Sequence, residues 1–297
     1  MRVLLTGSTG LIGSALHRAL IAEGMEVFSL VRRAVSNEAN QVFWDPYSRT
    51  VEPSRLEHAN ALIHLSGENV ALGRWTPERK RNIYDSRIKT TSFLGEVLTA
   101  LKNPPRVWLC ASAVGYYGDR GDAAVDESHP MGSGFLAQVC SDWESATRPA
   151  IDRGIRVIHL RFGMVLSREG GAMARLLPVF RLGLGGVLGN GKQYMSWVTL
   201  DDAVRAMCFL LSHEEVSGAV NVVAPEPVTN REFTKSLAQA LHRPAVLPVP
   251  ALALRMIFGE MADAVLLSSI RALPRKLERA GFAFRSPTLP QAWSALL

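Results

Sequence analysis

Three glycines near the start of the chain, Gly7, Gly10 and Gly13, have the spacing of a phosphate-binding turn. The first permits a tight turn after a strand, the second lets the backbone approach a pyrophosphate, and the third lets the next helix pack near a sheet. The first amides of that helix lack partners and carry the positive end of its dipole. We therefore expect Gly7, Gly10 and Gly13, with the neighbouring Thr9, Leu11 and Ile12, to bind a dinucleotide pyrophosphate.

Two arginines follow at the position where such folds contact the adenosine ribose. Arg32 lies 19 positions after Gly13 (32 − 13), close to the spacing of about twenty residues seen in dinucleotide-binding folds, and Arg33 is next to it. An acidic residue there would favour the free 2′-hydroxyl of NAD, whereas a guanidinium pairs well with a 2′-phosphate. The alternative is a pair of solvated surface arginines. We expect NADP(H) as the cofactor.

The apolar pattern on both sides of the glycines predicts the elements that would hold this turn. Residues 3–5 form a short buried strand, and apolar residues recur at helical spacing over residues 11–20. Gly24 ends that helix, and a second strand covers residues 26–31. The turn therefore has its required strand–turn–helix context.

Strand-like and helical runs alternate through the first half of the chain. We predict strands at residues 61–65, 107–111 and 156–160, with helical stretches at 76–101 and 135–153. Such alternation predicts an α/β fold, a doubly wound parallel sheet of the Rossmann type with right-handed crossovers. Ligands of these sheets lie across the carboxyl ends of the strands. Functional residues are therefore sought in three loops, at residues 66–74, 112–121 and 161–166.

The pattern changes after about residue 166, where glycines and then prolines become frequent. A helix at residues 201–211 and a strand at 219–223 are expected to return to the first part. We therefore divide the chain into an NADP-binding domain, residues 1–165 with 197–223, and a smaller lobe for the substrate. That lobe comprises residues 166–196 and 224–297.

Composition excludes several classes of protein. The 297 residues are 47% hydrophobic and 20% charged, as in globular proteins. The net charge of +6 is spread without a basic, aromatic-studded face, so no nucleic-acid partner is expected. Cys110, Cys140 and Cys208 are scattered, which indicates reduced thiols, a cytoplasmic location and no metal site. No uncharged apolar run is long enough to span a bilayer, so we expect a soluble protein without a membrane partner.

With these residues in view, the chain resembles the extended short-chain dehydrogenase/reductase superfamily and, within it, an atypical branch called the epimerase family. The resemblance covers nearly the whole chain and is carried by residues 6–13, 65–69, 74–76, 86–87, 180–186, 197–202, 272–274 and 280–282. It implies an extended Rossmann fold that binds NADP(H) and a small-molecule substrate. It also implies cofactor contacts from Leu65, Ser66, Gly67, Glu68, Arg87 and Met164. Extended relatives often pair through two core helices, so a homodimer is one expectation.

The chain departs from the parent superfamily at its proton relay. Those enzymes use a Tyr followed four positions later by a Lys, whose charge lowers the Tyr pKa. Aligning the corresponding helix on Glu144 puts Leu136 and Cys140 at these two positions. Neither side chain can perform that proton transfer.

Three hydroxyls after the strand at residues 107–111 are candidates to replace the relay. Ser112 lies near the place of a substrate-polarising hydroxyl, although Ala113 fits the alignment equally and Ser112 alternatively caps the strand end. Tyr116 and Tyr117 follow, and a Tyr there could donate a proton if a cation lowered its pKa. The alternative for each Tyr is packing, with the hydroxyl at the surface.

Other side chains that could do chemistry also have structural interpretations. Glu68 and Arg87 either orient the cofactor or form a structural ion pair. Cys140 and His64 are expected in the interior, as an inert thiol and a hydrogen-bonded core histidine. Asp201 and Asp202 open a helix, where capping explains at least one of them.

Two functions remain open at this point. The first is an NADP(H)-dependent oxidoreductase or epimerase-like enzyme with a proton source other than a Tyr–Lys pair. The second is a non-catalytic NADPH-binding sensor or regulator, which the missing pair favours. The sequence does not identify the substrate.

Overall fold

A sheet of eight strands forms the centre of the described chain, a computed structural model that covers residues 1–33 and 40–297. Its strands are β1 (Arg2–Thr6), β2 (Glu26–Val31), β3 (Gln41–Asp45), β4 (Thr50–Val51), β5 (Ala61–His64), β6 (Val107–Ala113), β8 (Arg156–Phe162) and β12 (Gly218–Val222). The order is β4-β3-β2-β1-β5-β6-β8-β12, and every pair is parallel except β3 with β4. The predicted doubly wound parallel sheet is confirmed.

Helices and shorter strands complete the fold. The helices are α1 (Leu11–Ala22), α2 (Pro77–Ala100), α3 (Phe135–Ser145), α4 (Arg148–Asp152), α5 (Met173–Arg181), α6 (Leu200–Ser212), α7 (Asn230–Ala240), α8 (Ala251–Phe258), α9 (Arg275–Arg279) and α10 (Leu289–Leu296). The short strands are β7 (Ala124–Val125), β9 (Met164–Leu166), β10 (Tyr194–Met195), β11 (Trp197–Thr199), β13 (Val228–Thr229) and β14 (Arg271–Ala272). They form three two-stranded pairs, β7 with β14, β9 with β11 and β10 with β13.

Two central strands run further than the sequence indicates. β6 continues to Ala113 and β8 to Phe162, and their register pairs Ser112 with Arg161. The predicted loops at residues 112–121 and 161–166 therefore begin inside the sheet. Polar residues usually mark the end of a buried strand, but here both side chains are buried and hydrogen-bonded at the edge of the sheet.

The helix expected at residues 135–153 is two helices, α3 and α4. The Thr147 hydroxyl donates a 2.8 Å hydrogen bond to the Glu144 carbonyl, and Pro149 lies at the start of α4. A proline has no amide hydrogen and fits the first turn of a helix better than its interior. The break therefore falls just before Pro149.

The predicted capping of α6 by an aspartate is wrong. Thr199 is the capping residue, and its hydroxyl accepts a hydrogen bond from the Asp202 amide. Asp202 is fully buried and accepts 2.9 Å hydrogen bonds from the amides of Arg285 and Ser286. Its carboxylate therefore anchors the segment before α10 to the start of α6.

Two large apolar clusters lie in the described residues. The larger cluster fills the space around the central sheet and includes Trp44, Trp108 and Leu160. The second is built around Trp197, Phe233 and other buried side chains of α5, α7 and α10. These segments largely coincide with the proposed substrate lobe, and the division into two domains stays a prediction.

Membrane-spanning helices and metal-ligand clusters are both absent from the described ranges. Within residues 1–33 and 40–297, no helix is long and apolar enough to cross a membrane. In the same ranges, no group of three or more His, Cys, Asp or Glu side chains could hold a metal ion.

Candidate functional site

The glycine turn joins β1 to α1 at the carboxyl edge of the sheet. Gly7 has a φ of +70°, a conformation that L side chains rarely adopt, and its carbonyl accepts a 3.0 Å hydrogen bond from the Gly10 amide. A Cβ at Gly13 would overlap that same carbonyl oxygen. Gly7 and Gly13 are therefore required by the turn itself.

The start of α1 is open to an anion. Gly10 is the capping residue, no side chain caps the helix, and no acidic residue lies in its first turn. Thr9 and Gly10 are exposed, while Leu11 and Ile12 are half-buried. The first amides of a helix have no acceptor within it, so those of Leu11, Ile12 and Gly13 are free to bind a negatively charged group.

A second pair of glycines packs against this turn. A Cβ at Gly170 or Gly171 would lie 3.3 or 3.1 Å from the Leu11 side chain. Beside them, Arg18 on α1 and Glu169 form an exposed ion pair of 3.4 Å. The connection after β9 therefore crosses the start of α1, and a larger side chain at either glycine would press on Leu11.

Arg32 and Arg33 follow β2 beside the glycine turn. The parallel register pairs Thr6 with Leu30, so Arg32 emerges just beyond the row that ends β1. Both arginines are exposed, and within residues 1–33 and 40–297 neither guanidinium makes a hydrogen bond or ion pair. Two guanidinium groups beside the free helix amides form a cationic side to the turn.

The end of β5 lies against the glycine turn. The Leu65 amide donates a 3.2 Å hydrogen bond to the Thr6 hydroxyl, and a Cβ at Gly7 would lie 2.9 Å from the Leu65 carbonyl carbon. Ser66 is half-buried and Gly67 is exposed. These predicted cofactor residues are therefore brought close to the start of α1.

Arg87 reaches from α2 to the end of β5. Its guanidinium donates hydrogen bonds of 3.0 Å to the Ile83 carbonyl and 2.9 Å to the Glu68 carbonyl. It lies 5.0 Å from the Trp143 ring and 3.3 Å from a Cβ built at Gly67. Burial lowers the pKa of Arg87 from its ordinary value, although the group remains cationic.

The expected ion pair of Glu68 and Arg87 is not formed through the Glu68 carboxylate. That carboxylate is half-exposed and lies 3.5 Å from Arg79. Arg87 instead uses the main-chain carbonyl of Glu68. The prediction of a structural ion pair between the Glu68 and Arg87 side chains is therefore wrong.

A buried polar cluster lies at the carboxyl ends of β6 and β8. The Ser112 hydroxyl donates a 2.7 Å hydrogen bond to Glu144 of α3. Arg161 grips the same carboxylate with two hydrogen bonds of 2.8 Å. Burial disfavours the charge of Arg161, but the hydrogen bonds and the charge of Glu144 outweigh it and raise the Arg161 pKa above its ordinary value. Arg161 therefore stays positively charged in the interior.

The two tyrosines have different surroundings. The Tyr117 hydroxyl donates a 2.8 Å hydrogen bond to Asn221 and accepts a 3.0 Å bond from Arg161, and burial raises its pKa to about 12. The expectation that this hydroxyl lies at the surface is wrong. Tyr116 is half-buried, and its ring centroid lies 3.5 Å from the Arg161 guanidinium. The Arg161 guanidinium therefore contacts the ring of Tyr116 and the hydroxyl of Tyr117.

Glu144, Arg161 and Asn221 were missed as functional candidates by the sequence analysis. The register of the sheet aligns Ser112, Arg161 and Asn221 across three adjacent strands. An arginine inside the apolar run of β8 was the available signal, because buried arginines are rare unless they are paired.

The remaining predicted residues lie in the interior or at its margin. His64 is fully buried and hydrogen-bonded at 2.7 Å to Thr6 and 3.1 Å to Thr91, which confirms a core histidine. Cys140 is buried as expected, and burial raises its pKa to about 11. Met164 begins β9, where it is half-buried beside the second apolar cluster.

Sequence comparisons place two known families on the chain. Residues 3–223 match the NAD dependent epimerase/dehydratase family, and residues 249–296 match a domain of unknown function, DUF1731. Epimerase family protein Mb2239 of Mycobacterium bovis is 47% identical over 292 residues, which cover 98% of this chain and 95% of that protein. Human epimerase family protein SDR39U1 is 35% identical over 295 residues, 98% of both chains. The resemblance to the epimerase family is confirmed.

A solved structure matches over the whole length. The crystal structure of human epimerase family protein SDR39U1 (isoform 2) with NADPH has a TM-score of 0.92 and 34% sequence identity. The match covers 100% of this chain and 99% of that chain. The extended Rossmann-like architecture is thus shared with a relative of clear sequence similarity.

Proposed function

Because the chain belongs to the NAD dependent epimerase/dehydratase family, we propose that it is an NADP(H)-dependent oxidoreductase or epimerase-like enzyme for a small organic substrate. The observation that carries the proposal is the open start of α1. No side chain caps this helix, and Gly13 packs directly against the Gly7 carbonyl. The NADPH in the crystal structure of human SDR39U1 supports the choice of nucleotide. The substrate would lie at the carboxyl edge of the sheet, beside the second apolar cluster.

The chain's residues fit a dinucleotide phosphate at this corner. Gly7 and Gly13 hold the turn tight, and Gly10 and Thr9 are exposed where the backbone would meet the pyrophosphate. No carboxylate lies in the first turn of α1 to repel it. Leu65, Ser66 and Gly67 would line the next part of the cofactor path, with Arg87 behind Gly67.

Arg32 and Arg33 support NADP(H) over NAD(H). Their guanidinium groups are exposed beyond the end of β2. Within residues 1–33 and 40–297 neither forms an ion pair, although the charge of Arg32 contributes to the lowered pKa of Asp45. A 2′-phosphate would accept two hydrogen bonds from a guanidinium. The residues at 34–39, which follow directly, lie outside the described part.

The nicotinamide, when bound, supplies hydride transfer. The chain must then orient the substrate and exchange a proton with it. We assign the proton to Tyr116, because its hydroxyl has no hydrogen-bond partner in the described residues and Arg161 places a positive charge against its ring. The Ser112 hydroxyl donates its hydrogen bond to the Glu144 carboxylate. Its oxygen would therefore accept a hydrogen bond from a substrate hydroxyl. Tyr117 holds Arg161 and Asn221 in place.

Calorimetric titration tests the cofactor assignment. The folded protein should bind NADPH and NADP⁺ with saturable heat. The binding free energy of NADH should be weaker by about 1.5–3 kcal/mol, the value of a hydrogen bond to a charged group. Oxidation of bound NADPH on addition of aldehydes, ketones or nucleotide sugars would then identify the substrate class. No heat with either nucleotide would refute the proposal.

A non-catalytic NADPH sensor is the second candidate function. Leu136 and Cys140 occupy the positions of the usual Tyr and Lys, and Cys140 is a buried thiol whose pKa burial raises to about 11. A sensor would bind NADPH tightly yet leave it unoxidised with every carbonyl and nucleotide-sugar substrate. Its melting temperature or its partners would change with the NADPH to NADP⁺ ratio.

A further inference from the structure

A groove of about 620 Å³ lies on the second lobe, on the surface of α7. Its charged or basic lining side chains are Arg231, Lys235, His242 and Arg243, and no carboxylate lines it. The floor is apolar, with Val187 and Ala238 among its residues. We call this feature the basic groove.

Several strongly exposed apolar side chains lie in segments near the basic groove. They are Leu182, Leu184, Val246, Leu247, Leu252 and Met256, which we call the apolar rim. Leu182 is 74% exposed and Val246 is 77% exposed. Large apolar side chains rarely stand so far into water in a group, and such patches usually mark an interaction site.

Backbone contacts place the groove and the rim on one surface. The Arg243 side chain donates a 3.0 Å hydrogen bond to the Arg181 carbonyl, next to Leu182. The Val249 amide donates a 2.9 Å hydrogen bond to the carbonyl of Val187, a residue of the groove floor. The segments that carry Leu182, Leu184, Val246 and Leu247 therefore run side by side at the edge of the groove.

Helix α8 extends the apolar rim. It begins directly after Pro250, and its Leu254 side chain is buried whereas Leu252 and Met256 are 66% and 64% exposed. A Cβ at Gly189 would lie 3.8 Å from Ala251, which places the start of α8 beside the segment that follows Val187. The exposed side of α8 therefore continues the apolar rim.

Carboxylates near this surface are already engaged. Glu232 of α7 caps its own helix by accepting hydrogen bonds from Thr229, and Asp263 pairs with Arg255 at 2.9 Å. The side chains that line the basic groove itself therefore present positive charge.

We propose that the basic groove and the apolar rim bind the surface of an anionic lipid bilayer. Lipid headgroups would supply phosphates to Arg231, Lys235 and Arg243, while Leu182, Val246 and Met256 enter the headgroup region. A bilayer fits better than a folded protein, because Leu182 and Val246 stand 74% and 77% exposed outside the helices and strands instead of lining a recess. The contact needs no spanning helix, but it departs from the expectation, drawn from apolar run lengths, that the chain has no membrane partner. It is independent of cofactor binding.

Vesicle co-sedimentation of the full chain tests the proposal. The protein should bind vesicles of phosphatidylcholine mixed with phosphatidylglycerol, bind pure phosphatidylcholine at least ten-fold less, and dissociate as salt is raised. Removing one cation near an anionic surface lowers the binding constant about five-fold. The variant Arg231→Gln with Lys235→Gln should therefore lose about 25-fold, while Arg106→Gln with Arg153→Gln, which carry exposed charges elsewhere, should lose less than two-fold.

The apolar rim is tested by a second variant with its own control. Val246→Asp with Leu182→Asp should abolish vesicle binding, whereas Ile21→Asp, at a 53% exposed site on α1, should not. Unchanged melting temperatures show that each variant is folded. Failure of the parent protein to bind anionic vesicles overturns the proposal, as does an equal loss for both pairs of charge variants. A dimer in analytical ultracentrifugation that Val246→Asp dissociates would assign the surface to a second copy and also overturn it.

Discussion

Arg161 of β8 and Glu144 of α3 face each other in a fork of two 2.8 Å hydrogen bonds, with their side chains 4% and 11% exposed. The pair joins the sheet to the helix that carries Leu136 and Cys140. Through Ser112 and Tyr117 it also touches β6 and the turn that holds Tyr116. The geometry at the carboxyl ends of β6 and β8 thus depends on one buried ion pair.

Breaking that pair should destabilise the fold strongly. Arg161→Met leaves the Glu144 carboxylate buried without its partner, which costs about 3–5 kcal/mol in the free energy of unfolding. Urea denaturation measures this. The exposed pair of Arg148 and Asp152 is the control, and Arg148→Met there should cost under about 1 kcal/mol. The double variant Arg161→Met with Glu144→Leu should recover part of the loss, and failure to recover any would show that packing, not charge, causes the effect.

Arg32 should determine the preference for the phosphorylated cofactor. Arg32→Ala removes the hydrogen bonds to the 2′-phosphate and should weaken NADPH binding by about 1.5–3 kcal/mol. Binding of NADH, which lacks that phosphate, should barely change. Isothermal titration calorimetry with both nucleotides provides the comparison, and an equal loss for both would contradict a role at the 2′-phosphate.

Gly13 and Gly10 should fail in different ways when each is changed to alanine. A Cβ at Gly13 would overlap the Gly7 carbonyl, so Gly13→Ala should lower the melting temperature and the affinity together. A Cβ at Gly10 would lie 3.3 Å from the same oxygen, which a small shift accommodates. Gly10→Ala should therefore keep stability within about 1 kcal/mol and mainly lose NADPH affinity, because the pyrophosphate needs that space. Thermal melts and calorimetry separate the two effects.

Tyr116 and Tyr117 should separate catalysis from stability. Tyr116→Phe keeps the ring on Arg161 and should leave the melting temperature unchanged while lowering turnover by 10²–10⁴-fold, in the range expected for a lost proton donor. Tyr117→Phe removes hydrogen bonds to Asn221 and Arg161 and should cost about 1–3 kcal/mol in stability. Turnover with the substrate found by screening, together with urea denaturation, tests both. Full activity in Tyr116→Phe would exclude it as the proton donor.

His64 should make the fold less stable in acid. Burial lowers its pKa from 6.5 to about 3, so between these values the unfolded chain takes up a proton that the folded chain does not. The free energy of unfolding should therefore fall as pH drops below 6.5, by up to about 1.4 kcal/mol per pH unit. The slope should be smaller in His64→Gln than in the parent chain. Burial also lowers the pKa of His159, so only the difference between variants is diagnostic.

Local patterns were sufficient for the nucleotide-binding corner. The second strand was predicted at the residues where β2 lies, and Gly24 ends α1 with a φ of +74° as its position implied. A turn of this kind is specified by residues within a few positions of one another. Its glycines meet constraints that the neighbouring backbone imposes, which is why sequence alone could identify Gly7 and Gly13.

The polar cluster at the carboxyl ends of β6 and β8 was decided by long-range packing. Ser112 and Arg161 are 49 positions apart (161 − 112), and only the register of β6 against β8 brings them into one row. Tyr116 and Tyr117 are adjacent in sequence and were indistinguishable there, yet one hydroxyl is buried between Asn221 and Arg161 and the other is not.

The amino-acid sequence by itself determined the parallel sheet, the phosphate-binding turn and the arginines after β2, because each depends on short-range periodicity or on backbone angles that few residues can adopt. The tertiary structure decided which polar groups are buried together, and it brought the basic groove and the apolar rim onto one surface. Burial and pairing depend on contacts between segments distant in the chain, and no local pattern specifies them.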